Sequence, residues 1–543
     1  MADRLRIALA QVDMPVGDLD GNAKRVLELA AQARDELAAD LILFPEQTLP
    51  GYPAEDLLLH RAFPARVEAA MATVRSGLTG IAALVGFPEY RGDEIHNSVA
   101  LLDEGDCLAV YRKRQLPNYG VFDEKRYFTP GSEDCVVAFR GARLGLTICE
   151  DAWVRGPVER TAQAGAQLIL NASASPFAVD KQSTREGVFG ERARASGVPG
   201  IYVNLVGGQD ELVFDGQSLA MDAEGSVCFR APAFVDALQL VEVVGGPDGW
   251  RIVPGEIAAD RSVAADVYDA LVRATRDYVD KNGFPGVVIG LSGGVDSALT
   301  LAIAAHALGP DRVRGVLMPS RYTSDMSIED ARAQAAALRV QVQEISIEPL
   351  FQAAVAQLAP AFEGAAADAT EENLQARCRG MILMALSNKT GHMVLTTGNK
   401  SEMAVGYATL YGDMAGGFAP IRDCSKTLVY ALARHRNAQG AVIPERVLTR
   451  EPSAELREDQ RDSDSLPPYA VLDPILEALV EERLPVGEVV ARGADPEVVA
   501  WVARQVQINE YKRRQAPPGV RISRLAFGRE RRYPITSAYR DPR

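Results

Sequence analysis

Residues 290–300 read GLSGGVDSALT. Val287, Val288 and Ile289 precede them, and an Ala/Leu-rich stretch follows. That order describes a buried strand, a tight glycine turn and a helix start. Gly293 and Gly294 let backbone N–H groups converge on an anion. Ser292 and Ser297 add hydroxyl donors, and the helix start adds the positive end of its dipole. The familiar phosphate loop carries a Lys that is missing here. Instead Asp296 stands in the middle. A carboxylate beside phosphates is repulsive unless a divalent cation lies between them, so the loop points to Mg²⁺.

Around this loop the chain after residue 260 alternates regularly between strand and helix patterns. VVIGLSGG (287–294), VRGVLMP (313–319), VQEISI (342–347) and HMVLTTGN (392–399) each precede a helical stretch. This is the signature of a doubly wound parallel sheet. The first half reads differently. LRIALAQV (5–12), LILFPE (41–46), GIAALVGFPEY (80–90), NSVALLD (97–103), CLAVYRK (107–113), RLGLTIC (143–149), AQLILNASAS (166–175) and GIYVNLVG (200–207) read as strands. Residues 22–40 have apolar residues at helical spacing, and DEGD (103–106) signals a hairpin. An α/β sandwich with antiparallel character is expected. The Gly/Pro-rich stretch 243–260 is the expected domain boundary. The division is therefore 1–245, a linker at 246–262, and 263–543.

The 543 residues suffice for two or three cores. A net charge of −15 disfavours a nucleic-acid footprint, which needs a basic face. The six cysteines form no CxxC pair and the five histidines no metal-spaced cluster. No apolar run is long enough for a bilayer, and the first residues lack a signal-peptide core. A cytoplasmic protein in a reducing compartment is expected, with no membrane and no nucleic-acid partner.

SGGVDS (292–297) resembles the signature of the ATP pyrophosphatase superfamily, whose members cleave ATP between the α- and β-phosphates. EENLQARCRGMIL (371–383), LTTGNKSEMAVGY (395–407), YGDMAGGFAPI (411–421), REPSAELR (450–457) and DSLPPY (464–469) are similar, within it, to the NAD synthetases. The resemblance covers 260–543. It implies a Rossmann-like domain that binds ATP through Gly290, Leu291, Ser292, Gly293, Gly294, Val295, Asp296, Ser297, Thr397, Lys426 and Ser453. It implies deamido-NAD at Asn373, Glu402 and Lys512, and Mg²⁺ on Asp296 and Glu402. The absent Lys is then explained, since AMP rather than the γ-phosphoryl group is transferred. The Gly-rich GDMAGGF (412–418) is the expected closing loop.

In the first half, Cys149 closes an apolar strand at a helix start, which would favour thiolate. Glu46 and Lys113 end two other strands. Glu, Lys and Cys in these contexts and this order resemble the nitrilase superfamily over residues 4–240, which implies an α-β-β-α sandwich. The resemblance implies Cys149 as nucleophile, Glu46 as general base and Lys113 as oxyanion stabiliser. Glu124 matches a further acidic position that orients substrate or lysine, its alternative being a surface ion pair with Lys125 or Arg126. Fused ahead of a synthetase, this half resembles the glutaminase of glutamine-dependent NAD synthetases. That implies L-glutamine contacts from Tyr119, Ser175 and Lys181, and a tunnel that keeps ammonia unprotonated. The family also implies a homo-oligomer built on a synthetase dimer.

Overall fold

Strand β1 (Arg4–Gln11) places its alternate residues in two different cores. Leu5, Ile7 and Leu9 point to one, Ala8 and Ala10 to the other. The computed structural model describes residues 4–246 and 249–539. After β1 come α1 (Leu19–Leu37), β2 (Leu41–Leu43), α2 (Phe63–Gly77), β3 (Ala82–Arg91), β4 (Glu94–Asp103) and β5 (Asp106–Arg112). The helix read over 22–40 starts earlier, at Leu19, because the Asp18 carboxylate accepts from Gly21 N at 3.0 Å and caps it there.

The chain continues through β6 (Cys135–Phe139), β7 (Ala142–Ile148), α3 (Pro157–Gln163), β8 (Leu168–Ser173), α4 (Lys181–Ser196) and β9 (Gly200–Asn204). A short hairpin, β10 (Val206–Gln209) and β11 (Leu212–Asp215), precedes β12 (Leu219–Met221), β13 (Val227–Arg230), β14 (Ala237–Gly246) and β15 (Gly249–Ile252). One sheet has the order β15-β14-β1-β2-β3-β4-β5, the other β13-β12-β9-β8-β7-β6. Leu5, Leu43, Leu84 and Leu101 of the first meet Leu144, Leu146, Leu170 and Val203 of the second in a common core. The opposite face of the first sheet buries Ala8, Ile42 and Val85 against α1 and α2. Phe189 and Val158 cover the second. The layers are α-β-β-α.

Residues read as a linker form part of this sheet. β14 pairs antiparallel with β1 from Arg4↔Val244 to Gln11↔Ala237, and β15 pairs with β14. The compact unit extends to Arg261. Gly246 and Gly249 face each other in that pairing at the sheet edge.

The second unit begins with α5 (Val263–Lys281) and continues with β16 (Val287–Leu291), α6 (Val295–Leu308), β17 (Val313–Leu317), α7 (Asp325–Leu338), β18 (Gln341–Glu344), α8 (Glu348–Phe362), α9 (Ala369–Thr390), β19 (Met393–Leu395), α10 (Lys400–Val405) and α11 (Lys426–Ala438). All pairings in the sheet are parallel, in the order β18-β17-β16-β19. α6 is apolar almost all round and is buried beside α5 and α11. Val288, Val316 and Val394 pack against α8 and α9 through Phe351, Cys378 and Leu383. β16 is therefore the strand from which the order reverses, and a doubly wound sheet opens its crevice at the carboxyl ends of such strands. The 292–297 loop and Thr397 both leave the sheet there.

Candidate functional site

The first unit brings Glu46, Lys113 and Glu124 into one buried cluster. Glu46 follows β2, on a turn held to β3 by Phe44 N donating to Leu84 O and Leu49 N to Gly86 O. Lys113 follows β5 and is tied to β4 by its N–H to Asn97 O at 2.8 Å. Its Nζ donates to Glu46 Oε1 at 2.6 Å and to Glu124 Oε1 at 2.8 Å. Tyr52 OH also donates to Glu124 Oε1, at 3.0 Å. Glu124 is thus spent on Lys113 and Tyr52, and no ion pair with Lys125 or Arg126 occurs among the described contacts. Glu46 accepts further from Asn97 Nδ2 at 2.6 Å and from Ala174 N at 3.1 Å.

The electrostatics follow from burial. Burial opposes the charge on Lys113, but Glu124 and then Glu46 outweigh it and hold its pKa well above the ordinary lysine range. Burial pushes Glu124 up to about 7 against the pull of Lys113. Among the described residues its Oε2 has no hydrogen-bond partner.

Cys149 directly follows β7 with φ of +41°, a strained conformation for a non-glycine residue. Asp151 fixes the turn: its Oδ2 accepts from Ile148 N at 3.1 Å and Tyr111 OH at 2.8 Å. The expectation of a favoured thiolate is corrected here. Cys149 is 3 % exposed. Burial and then Glu46 push its thiol well above the ordinary range, with Lys113 pulling the other way. Cys149 opens a single four-residue turn, Cys149–Ala152, too short to carry much dipole. The resting group is a thiol that needs a base.

Around the turn, Tyr119 OH donates to both Glu150 oxygens at 3.0 Å. Lys181 Nζ stands 3.9 Å from the centroid of the Trp153 ring. Ser175 is buried, with its N–H on Asn204 Oδ1 at 2.9 Å. Behind it, Arg185 makes a two-pronged pair with Asp215 at 2.9 and 3.0 Å.

In the second unit the 292–297 loop is built around close approaches. Gly293 has φ of +76°, and a Cβ there would lie 2.3 Å from Ser327 O. Ser297 Oγ accepts from Ser292 N at 3.3 Å and donates to Gly294 O at 3.0 Å. Arg450 grips the loop through Gly293 O. Asp296 opens α6 and Glu402 lies in α10. Between them stands Lys426 Nζ, 2.6 Å from Asp296 Oδ2 and 2.9 Å from Glu402 Oε1. Burial raises Glu402 to about 7 although Lys426 opposes this. Burial disfavours the charge on Lys426, but Asp296 and Glu402 hold it well above the ordinary range.

Sequence reasoning missed Asn399, whose Nδ2 donates to Asp296 Oδ1 at 2.9 Å while its Oδ1 caps α10 at Glu402 N. Asn directly before a helix was the signal. Because Asn399 is the cap, Thr397 has no capping duty, and it stays half-buried beyond β19. Asn373 and Lys512 converge on one segment: Thr409 Oγ1 donates to Asn373 Oδ1 at 2.8 Å, and Lys512 Nζ donates to Gly406 O at 2.8 Å and Ala408 O at 2.9 Å. Ser453 Oγ donates within its own loop, to Gln460 O. The closing loop expected at 412–418 is fixed against the sheet over its second half. Gly417 N donates to Val394 O at 2.8 Å, and a Cβ on Gly416 would meet Thr396 at 2.6 Å. The glycines there serve close packing.

Two carboxylates sharing one ammonium form a donor set that a small hard cation accepts, completing its shell from phosphate and water. Asp296 and Glu402 offer carboxylate oxygens of that kind, with Lys426 Nζ standing between them, and no group of three or more potential ligands gathers among the described residues. Among those residues, too, no helix is long and apolar enough to cross a membrane.

Known families match the two units separately: carbon-nitrogen hydrolase over 6–245 and NAD synthase over 267–516. The chain is 50 % identical to the glutamine-dependent NAD(+) synthetase of Xanthomonas campestris, covering 99 % of this chain and 98 % of that protein. It is 48 % identical to the one from Acinetobacter baylyi, over 98 % and 99 %. A solved structure, the glutamine-dependent NAD+ synthetase of Acinetobacter baumannii in complex with ADP, superimposes with a TM-score of 0.80 at 44 % identity, covering 99 % of this chain and 100 % of that one.

Proposed function

The chain belongs to the glutamine-dependent NAD(+) synthetases, a family of ligases, and from that premise we propose how its residues divide the work. The first unit releases ammonia from L-glutamine. The second uses ATP to amidate deamido-NAD, giving NAD, AMP and pyrophosphate. The observation that carries this reading is the buried Lys113 held between Glu46 and Glu124 beside Cys149.

Cys149 Sγ attacks the glutamine side-chain carbonyl while Glu46 takes its proton. Lys113, kept charged by its two carboxylates, faces the developing oxyanion, with a backbone N–H after Cys149 as second donor. Glu46 returns the proton to the departing nitrogen and then activates water against the γ-glutamyl thioester. Tyr119, Ser175 and Lys181 hold glutamine, and Glu124 orients Lys113.

In the second unit the deamido-NAD carboxylate attacks the α-phosphorus of ATP. The N–H groups of 290–297 receive the departing pyrophosphate. Mg²⁺ on Asp296 and Glu402 would neutralise phosphate charge. Thr397, Lys426 and Ser453 bind ATP, and Asn373, Glu402 and Lys512 bind deamido-NAD. Ammonia passed from the first site displaces AMP. A homo-oligomer built on a dimer of the second unit belongs to the same reading.

Cys149→Ala tests it. NAD formation from glutamine is lost, and NAD formation from ammonium salts is kept. Loss of both in a folded variant overturns the two-site reading.

A further inference from the structure

We propose that Asn97 is a positioning residue that reserves one oxygen of Glu46 for the proton of Cys149. The proposal rests on the roles of Cys149 and Glu46 given above. Asn97 lies in β4 and is 1 % exposed. Its Nδ2 donates to Glu46 Oε1 at 2.6 Å, the oxygen that already accepts from Lys113 Nζ at 2.6 Å. Its Oδ1 accepts from Gln47 Nε2 at 2.7 Å, and its backbone oxygen accepts from Lys113 N at 2.8 Å. One residue thus holds the base through its side chain and the lysine through its main chain.

The amide can face only one way. A carboxylate offers acceptors alone, so Nδ2 must face Glu46, and the Gln47 donor requires Oδ1 on the other side. Both lone pairs of Oε1 are then engaged. Among the described residues Oε2 has a single partner, Ala174 N at 3.1 Å, which leaves one lone pair open. The proton therefore goes to Oε2. The S–H bond breaks and its proton moves to Oε2 as the S–C bond forms. The carbonyl π pair moves to the oxygen that Lys113 faces. The same proton then passes from Oε2 to the amide nitrogen as the C–N bond breaks and ammonia leaves. Without Asn97, Oε1 regains an open lone pair on the side of Lys113. The terminal torsion of Glu46, which is intrinsically broad, loses a restraint.

The test uses the full chain with Asn97→Ala and Gln47→Leu, beside Cys149→Ala. Asn97→Ala is expected to lower kcat for glutamine-driven NAD formation about 100-fold, the scale of a misplaced general base, with KM for glutamine nearly unchanged. Gln47→Leu, which removes only the restraint on the Asn97 amide, is expected to lower kcat about 10-fold. Ammonia-driven synthesis holds in both. A rise in glutamine KM at constant kcat makes Asn97 a binding residue and overturns the proposal, as does near-normal turnover in both variants. If Cys149→Ala itself retains glutamine-driven synthesis, the reading beneath the proposal fails instead.

Discussion

Lys426 Nζ stands 2.6 Å from Oδ2 of Asp296, and the same ammonium reaches Glu402 at 2.9 Å. One buried cation holds two carboxylates together at the mouth of the 292–297 loop. Lys426→Met leaves those carboxylates facing each other, at a cost of about 3 kcal/mol. Added Mg²⁺ should then raise the melting temperature of the variant more than that of the parent, as followed by calorimetry without nucleotide. Equal shifts would show that this pair does not bind Mg²⁺. Asp296→Ala should abolish NAD formation from glutamine and from ammonium alike.

Glu124 supplies a pH dependence. Its folded pKa is raised by burial from the ordinary 4.5 to about 7. A group raised on folding contributes stability that is full below the unfolded value and is lost as pH climbs through the folded one. Glu124→Gln removes this contribution. Its melting temperature should fall less than the parent's between pH 4.5 and about 7. An unchanged slope would show that Glu124 does not titrate in that window.

Gly293→Ala should be severe. The new Cβ meets Ser327 O at 2.3 Å, on backbone at φ +76°. A loss of about 1–3 kcal/mol is expected in chemical denaturation, together with NAD formation from either nitrogen source. Full activity would mean that the loop tolerates a different path.

Asp215→Ala strands Arg185, which is 1 % exposed. An unpaired buried guanidinium costs about 3–5 kcal/mol. Asn204 Nδ2 bonds both Asp215 Oδ1 and Ser175 O. Glutamine KM should therefore rise while ammonia-driven synthesis holds. An unchanged KM would separate this network from Ser175.

The placement of Glu46, Lys113, Cys149 and Asp296 was legible because each follows an apolar strand. The residues that hold them were not. Asn97 lies 51 residues from Glu46, Asn399 103 from Asp296, and Arg450 157 from Gly293. Each looks like an ordinary polar residue until the fold supplies its partner. The state of Cys149 was misread because burial belongs to packing. The two units divide between Arg261 and Ser262, inside the expected linker, but the linker's first part holds β15, because glycine marks hairpin ends as readily as domain borders.

The pairing of β1 with β14 also governs the order in which the chain can assemble during synthesis. Arg4 meets Val244, so β1 lacks its antiparallel neighbour until the ribosome has made nearly all of the first unit. Closing so long a loop is slow. A nascent chain halted before residue 237 exposes an unpaired strand edge, the kind of surface that recruits chaperones or aggregates.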